Sequence, residues 1–290
     1  MNIFIFMKEK PALKTITDTL QTADGLTLHT QGWLPDADPK AVVLIVHGIA
    51  EHIGRYTHVA AFLVERGSAV YGLDHRTHGR SQGEPRVYIP DFDRAVDDLK
   101  QFFDRVKAAH PGKKIFVYGH SMGSFLATSF AVRYQDEMAG LISSGSPVRV
   151  EDTIAPLVIR VGSLLNAVAP RLKLIKLDLN AISRDAAVVA AYNADPLVVN
   201  QPVRVGMAVG YQKAVGRLSQ DLPRLRLPLL LLHGGADRIA PPSGSEQVYR
   251  EAQSADKTLK IYPGLYHEIH NEPEQVEVLA DVAAWLDARV

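Results

Sequence analysis

The chain has 290 residues, 47% of them hydrophobic, with 32 basic against 32 acidic side chains and no cysteine. That is enough apolar material for a sizeable core without staples, and it excludes disulfides, a cysteine nucleophile and a thiolate-bound metal. A formal net charge of zero leaves no global field to hold a polyphosphate, so the expected partner is a small neutral or amphiphilic molecule and not a nucleic acid.

In chain order, the opening MNIFIFM (1–7) falls far short of the roughly 20 apolar residues of a membrane span. It also precedes Lys8 and Lys10, the reverse of a secretory leader's order. It reads as a frayed end or an upstream start with Met7 as the alternative first residue, and the protein as cytoplasmic. Residues 15–22 and 26–34 alternate polar and apolar positions around Asp24-Gly25, which predicts an antiparallel hairpin. From there short branched runs alternate with amphipathic stretches. AVVLIVH (41–47), AVYGLD (69–74), KIFVYGH (114–120), GLISSG (140–145), PLLLLHG (228–234) and TLKIYPG (258–264) predict buried parallel strands. Helices are predicted over 56–66, 91–109, 122–134, 244–253 and 273–288. The class is α/β, a single domain over 1–290 with a mostly parallel sheet, helices on both faces and an antiparallel start.

Between Pro147 and Arg226 no buried-strand run appears, only helical patterns broken by Pro156, Pro170, Pro196 and Pro202. Residues 147–226 therefore read as a helical cap inserted in the domain. Its first helix aligns Ile154, Leu157, Val158, Val161, Leu164, Leu165 and Val168 in one apolar stripe, with Ile159 on the opposite face. Such a stripe either packs on the main core or forms a lid over an apolar pocket. It permits transient docking on a membrane or micelle, or pairing of two copies, without requiring either.

The chemistry centres on Gly119-His120-Ser121-Met122-Gly123, a G-x-S-x-G that follows a predicted strand and opens a predicted helix. Two glycines let the chain reverse tightly and hold the serine hydroxyl above the sheet, at the N-terminus of a helix. Serine needs a base, and the base needs an orienting acid. In sheets of this kind the order is Ser, then Asp or Glu, then His, each after a late strand. Of eleven histidines, His267 in GLYHEIHNEP follows the last strand, and Asp237 in HGGADRI follows the strand before it. His270 competes for the base but lies nearer the next helix; Asp221 and Asp256 follow no buried strand. His233 reads as a satisfied core histidine. An oxyanion hole is expected from the backbone N–H groups of Met122 and of Ile49, which follows the tight turn His47-Gly48. No phosphate loop is present, and the histidines of LDHRTHGRS read as loop hydrogen-bonders, not metal ligands.

Taken together, HGIAEHIGRY (47–56), LDHRTHGRSQG (73–83), GHSMG (119–123), SRDAAVVAAYNADPLV (183–198), HGGADRI (233–239) and DKTLKIYPGLYHEIHNEPE (256–274) resemble the monoacylglycerol lipase branch of the α/β-hydrolases. The resemblance covers nearly the whole chain. It implies an α/β-hydrolase fold of about eight strands with the cap after the sixth, and it points to the same Ser121, Asp237, His267, Ile49 and Met122. It places Glu51, Arg55, Tyr192 and His270 at a polar, glycerol-recognising end or exit passage of the pocket. The implied reaction is hydrolysis of monoacylglycerols through an acyl-enzyme, with no cofactor and no metal. A lysophospholipase or general carboxylesterase is the alternative enzyme, and a lipid-binding protein without turnover the alternative class. Two residues depart from the family pattern: Ser124 stands where a third glycine is common after GHSMG, and Thr77 replaces the glycine of DHRGHG.

Overall fold

A strand can bury every side chain only if both faces of its sheet are covered, and the runs at 41–46, 115–120, 140–144 and 229–234 meet that condition, whereas 257–262, at the sheet edge, buries only Tyr262. The computed structural model describes residues 13–148 and 164–290. The leader 1–7, the stripe residues Ile154, Leu157, Val158 and Val161, and Ile159 of the opposite face lie outside the described residues. The main strands are β1 (Lys14–Gln21), β2 (Thr27–Leu34), β3 (Ala41–Val46), β4 (Ser68–Leu73), β5 (Ile115–His120) and β6 (Gly140–Ser144). After a separate ribbon of β7 (Lys173–Ile175) and β8 (Val203–Arg204), the sheet resumes with β9 (Leu229–Gly234) and β10 (Lys257–Tyr262). Spatial order is β1-β2-β4-β3-β5-β6-β9-β10. The β1-β2 and β2-β4 pairs are antiparallel and all later neighbours parallel, a mixed start followed by a parallel sheet.

Period-two alternation divides the central strands between two cores. Val42, Leu44 and Val46 of β3, Val117 of β5 and Leu229 and Leu231 of β9 face one cluster. It is covered by α2 (Phe92–Ala109), α3 (Met122–Tyr134), α5 (Val205–Asp221) and α6 (Ser243–Glu251). Val43, Ile45, Phe116, Tyr118, Leu230 and Leu232 face the other, under α1 (Thr57–Val64) and α7 (Gln275–Asp287). A further helix, α4 (Ala186–Ala194), lies in the inserted segment. In α3 almost every residue is buried, so it shows no polar face; the helix is sandwiched between the sheet and its neighbours α2 and α5.

The inserted segment is not wholly helical. Its β7-β8 ribbon pairs strands of three and two residues, too short to show a period in sequence. Its last helix, α5, buries Val205, Met207, Ala214, Val215 and Leu218, several of them in the main core. Tyr211 of the same helix meets the rings of Phe92 and Phe125 at 5.5 and 5.0 Å. The end of the predicted stripe, in contrast, is open to solvent: Leu164 is 73% and Val168 81% exposed. Among the described residues, no helix is long and apolar enough to cross a membrane.

The DHRTHG loop after β4 acts as a clamp. Arg76 donates from Nε and Nη2 to the two oxygens of Asp98 on α2, at 2.7 and 2.8 Å, and from Nη1 to Asp24 of the first hairpin at 2.9 Å. Thr77 holds φ at 66°, a strained value for a branched residue. Its Oγ1 accepts the Tyr88 N–H at 3.0 Å, and its own N–H and C=O are paired with Gln82 and Val87. Replacing Arg76 leaves Asp98 buried without its cation, so Arg76→Met is expected to cost about 3–5 kcal/mol. Asp24→Asn, at the partly exposed end, should cost much less. Denaturant midpoints measured on both variants check the difference.

Candidate active site

Between β5 and α3 the chain reverses within a single residue. Ser121 has φ 55° and ψ −124°, and its N–H donates to Ser144 O of the adjacent strand at 2.9 Å. The flanking glycines are fixed by space. A Cβ at Gly123 would lie 2.0 Å from Val46 O, and one at Gly119 would lie 2.5 Å from Gly123 O and 2.6 Å from the Cα of buried Ser124. Serine at such a backbone angle stores strain of about 1–3 kcal/mol, which the packing of β3, β5 and α3 must hold.

The sheet order puts the ends of β9 and β10 beside this bend. His267 Nε2 stands 2.8 Å from Ser121 Oγ, and His267 Nδ1 stands 2.6 Å from Asp237 Oδ2. These contacts assign the proton to Nδ1, leaving Nε2 to accept from the serine hydroxyl. Asp237 is itself held: Oδ1 accepts the N–H groups of Ile239 and Ala240 at 2.8 and 3.0 Å. His233 adds a contact from Nε2 to Asp237 Oδ2 at 3.2 Å, while its Nδ1 meets Ser245 Oγ at 2.7 Å. His233 is thus a satisfied core histidine, but one that also touches the acid, a second role its position at the end of a strand does not reveal.

Electrostatics match this geometry. Burial raises the Asp237 carboxyl, but the charges and hydrogen bonds of His267 and His233 outweigh it and hold the carboxyl below the ordinary range. Burial disfavours the His267 imidazolium; Asp237 outweighs that and lifts the ring above the usual 6.5. His120, with its ring 4.8 Å from that of His267, is driven by burial down to about 3 and stays neutral.

Gly48 lies directly against the bend, since a Cβ there would come within 3.3 Å of Ser121 Cβ. Ile49 lines the same pocket as Ser121. Met122 begins α3, so its N–H has no acceptor within the helix. Around these groups the wall combines polar Glu51, Glu268 and His120 with apolar Leu177, Ile182 and Ile239 and with Tyr192. The free space is only about 20 Å³, roughly that of one water-sized sphere. A wider cleft of about 210 Å³ between α2, α3 and α5 is rimmed by Asp93, Arg133, Arg217, Asp221 and Arg224, and contains none of these groups.

Of the residues placed by resemblance at the polar end, Glu51 and Tyr192 stand on the pocket wall. Arg55 and His270 do not. Arg55 sits behind Glu51, its guanidinium 4.4 Å from the Tyr192 ring centroid. His270 is 1% exposed, stacked on Tyr56 at 4.9 Å and edge-on to His120 at 4.8 Å. The short 3₁₀ turn Ile269–Asn271 rotates it away from the pocket, into the layer beneath. Glu268, which sequence reasoning passed over, takes a place on the wall instead. The only available signal was an acid directly after the candidate base. Glu51, His120 and Glu268 are also the one group of potential metal ligands among the described residues, with ligand atoms within 4.8 Å of one another. Both carboxylates already share a resident cation, Arg55. The loop histidines His47, His75 and His78 are buried and hydrogen-bonded to backbone groups of the same loops.

With this geometry in hand, comparison with known proteins is specific. A family profile described as "Serine aminopeptidase, S33" matches residues 37–274. The chain is 42% identical over 266 residues to a monoacylglycerol lipase of Mycolicibacterium smegmatis, covering 90% of this chain and 93% of that one. It is 36% identical over 274 residues to the human monoglyceride lipase, covering 93% and 90%. Among solved structures, the monoacylglycerol lipase of Paleococcus ferrophilus superposes with a TM-score of 0.81 at 28% identity, covering 91% of this chain and 99% of that one.

The contacts at Gly123 predict that Gly123→Ala drives the helix off the end of β3. Labelling of Ser121 by a fluorophosphonate should fall by at least about 10²-fold, the scale of a 1 Å misplacement of reacting groups. The rate of labelling of folded protein checks this.

Proposed function

The chain belongs to the serine aminopeptidase S33 family of α/β-hydrolases and is a carboxylic ester hydrolase, and from that premise we propose that it cleaves monoacylglycerols to glycerol and fatty acid. The observation that carries the reading is the unbroken contact from Ser121 Oγ to His267 Nε2 and from His267 Nδ1 to Asp237, beside a pocket walled on one part by Leu177, Ile182 and Ile239 and on another by Glu51 and Glu268.

In this reading His267 takes the Ser121 proton as the hydroxyl attacks the ester carbonyl. The oxyanion is received by the Ile49 and Met122 N–H groups, and Asp237 stabilises the imidazolium. Collapse expels glycerol, which takes the proton from His267, and leaves the acyl group on Ser121. Water activated by the same ring then releases the fatty acid and restores the serine. No cofactor enters these steps. The narrow free space means that Leu177, Ile182 and Ile239 must part to admit an acyl chain. Apolar contact discriminates by only about 1–3 kcal/mol per methylene, so a broad chain-length profile is expected. The exposed cap residues Leu164 and Val168 are suited to rest on a micelle or membrane surface while substrate enters.

Monoacylglycerols should be the best substrates in a panel of mono-, di- and triacylglycerols, lysophospholipids and p-nitrophenyl esters. Ser121→Ala should abolish turnover. A clear preference for lysophospholipid would replace the substrate assignment while leaving the triad. Leu164→Asp should slow hydrolysis of micellar substrate and spare dissolved p-nitrophenyl butyrate; equal rates on both would remove the surface contact.

The base must be neutral to accept the serine proton. Because the folded pKa of His267 lies above 6.5, kcat/KM should be full at alkaline pH and decline tenfold per unit once pH drops below that pKa. Asp237→Asn removes the charge that lifts the ring and should move this acid limb to lower pH. Rate profiles on a soluble ester measure both.

A further inference from the structure

Three elements that the reaction must keep in register meet at one residue. Glu268 follows His267 in the loop after β10 and is only 3% exposed. Its backbone N–H donates to Ile182 O of the inserted segment at 2.7 Å. Its carboxylate accepts both arms of Arg55, Nη1 to Oε1 and Nη2 to Oε2, each at 2.7 Å, and Asn271 Nδ2 donates to Oε2 at 2.8 Å. Arg55 Nη1 also bonds Glu51 Oε2. Glu51 Oε1 in turn accepts the Gly48 N–H at 2.6 Å and the Tyr56 hydroxyl at 2.8 Å. A chain of charge-assisted bonds therefore runs from the residue after the base to the turn that lies on Ser121.

We infer that Glu268 is a positioning residue, which through Arg55 and Glu51 fixes the Gly48-Ile49 turn against Ser121. The inference rests on the reading of Ser121 as nucleophile and of Ile49 N–H as an oxyanion donor. A planar guanidinium gripped on two edges cannot rotate without breaking several charge-assisted bonds at once, so it transmits position where a lysine would not. Two carboxylates around one guanidinium leave a net negative charge in a buried site, an arrangement tolerated only when their oxygens are hydrogen-bonded. Here the donors are Gly48, Tyr56, Asn271 and Arg55 itself. Both Nη atoms of Arg55 are committed to this network and its face to Tyr192. Its part is to hold the turn and the cap together, in place of direct contact with a glycerol hydroxyl.

Glu268→Gln aims an N–H₂ at one arm of Arg55 where an oxygen stood and removes the charge, so Arg55 keeps one weaker bond there and holds Glu51 less firmly. On p-nitrophenyl butyrate, a probe that does not depend on monoacylglycerol being the substrate, kcat should fall about 10- to 100-fold with KM little changed, less than the loss of a whole oxyanion donor. Affinity for an alkyl trifluoromethyl ketone, whose adduct places an oxyanion in the hole, should fall by the same factor as kcat/KM. Glu51→Gln should behave alike, and the Glu51→Gln/Glu268→Gln double variant should be no worse than the poorer single, because both break one chain. Arg55→Lys should lose as much, and Glu268→Asp should recover part. A kcat within about twofold of wild type, losses that multiply, or a fall in kcat with ketone affinity unchanged would each overturn the inference. If thermal melting shows Glu268→Gln unfolded, Arg55→Lys decides by the same measurements. Turnover by Ser121→Ala would strike the catalytic reading itself, and is scored separately.

Discussion

At Ser121 the backbone leaves a fully buried strand and enters an almost fully buried helix with no intervening loop, and this reversal constrains everything around it. It requires φ near 55° at a serine, no side chain at Gly119 or Gly123, and the closest approach of α3 to the end of β3. Because Gly123 touches the carbonyls of Val46 and His47, the helix that carries Met122 and the turn that carries Ile49 are set by one contact. The Met122 and Ile49 N–H groups are thereby tied to each other in position. The strain at the bend is held by burial: Phe125, Leu126, Phe130 and Ala131 anchor α3 in a core shared with β3, β5 and α2.

Around the bend, burial sorts the histidines by charge. His75 is pushed to about 3, His78 to about 4 and His120 to about 3, in each case chiefly by desolvation. These rings act as neutral hydrogen-bonding and packing groups. His267 is equally buried, but Asp237 reverses the effect. Of these four buried rings His267 is shifted upward, because the Asp237 carboxylate stabilises its charged form.

The inserted segment is joined to the body at several points close to the pocket. Asp195 meets His52 at 2.8 Å, Val199 N–H donates to Ala50 O at 3.0 Å, and Arg184 grips Glu272 at 2.9 Å. These links lie on the loops after β3 and β10, so the inserted segment is attached to the same turns that carry Ile49 and His267. With Tyr192 over Arg55, motion of the cap and alignment of the pocket are physically connected.

What could be read without coordinates was local. Branched runs such as Ala41–Val46 and Leu229–Gly234 specify buried strands wherever the chain folds, Asp24-Gly25 specifies a hairpin, and a strand-to-helix turn with paired glycines specifies a presented serine. Chain order then singled out Asp237 and His267, because parallel strands all deliver their following loops to one edge of the sheet. The inward turn of Glu268, the withdrawal of Arg55 and His270 behind the wall, the contact of His233 with Asp237 and the short β7-β8 ribbon carry no periodic mark. Which loop side chains turn inward depends on the neighbours that β3, β9 and β10 bring to the same edge. The sequence by itself determined the strands, the bend and the choice of Ser121, Asp237 and His267 as candidates, since those follow from backbone preference and order. Only the tertiary structure decided how buried charges pair around them, since that depends on which distant loops share a desolvated space.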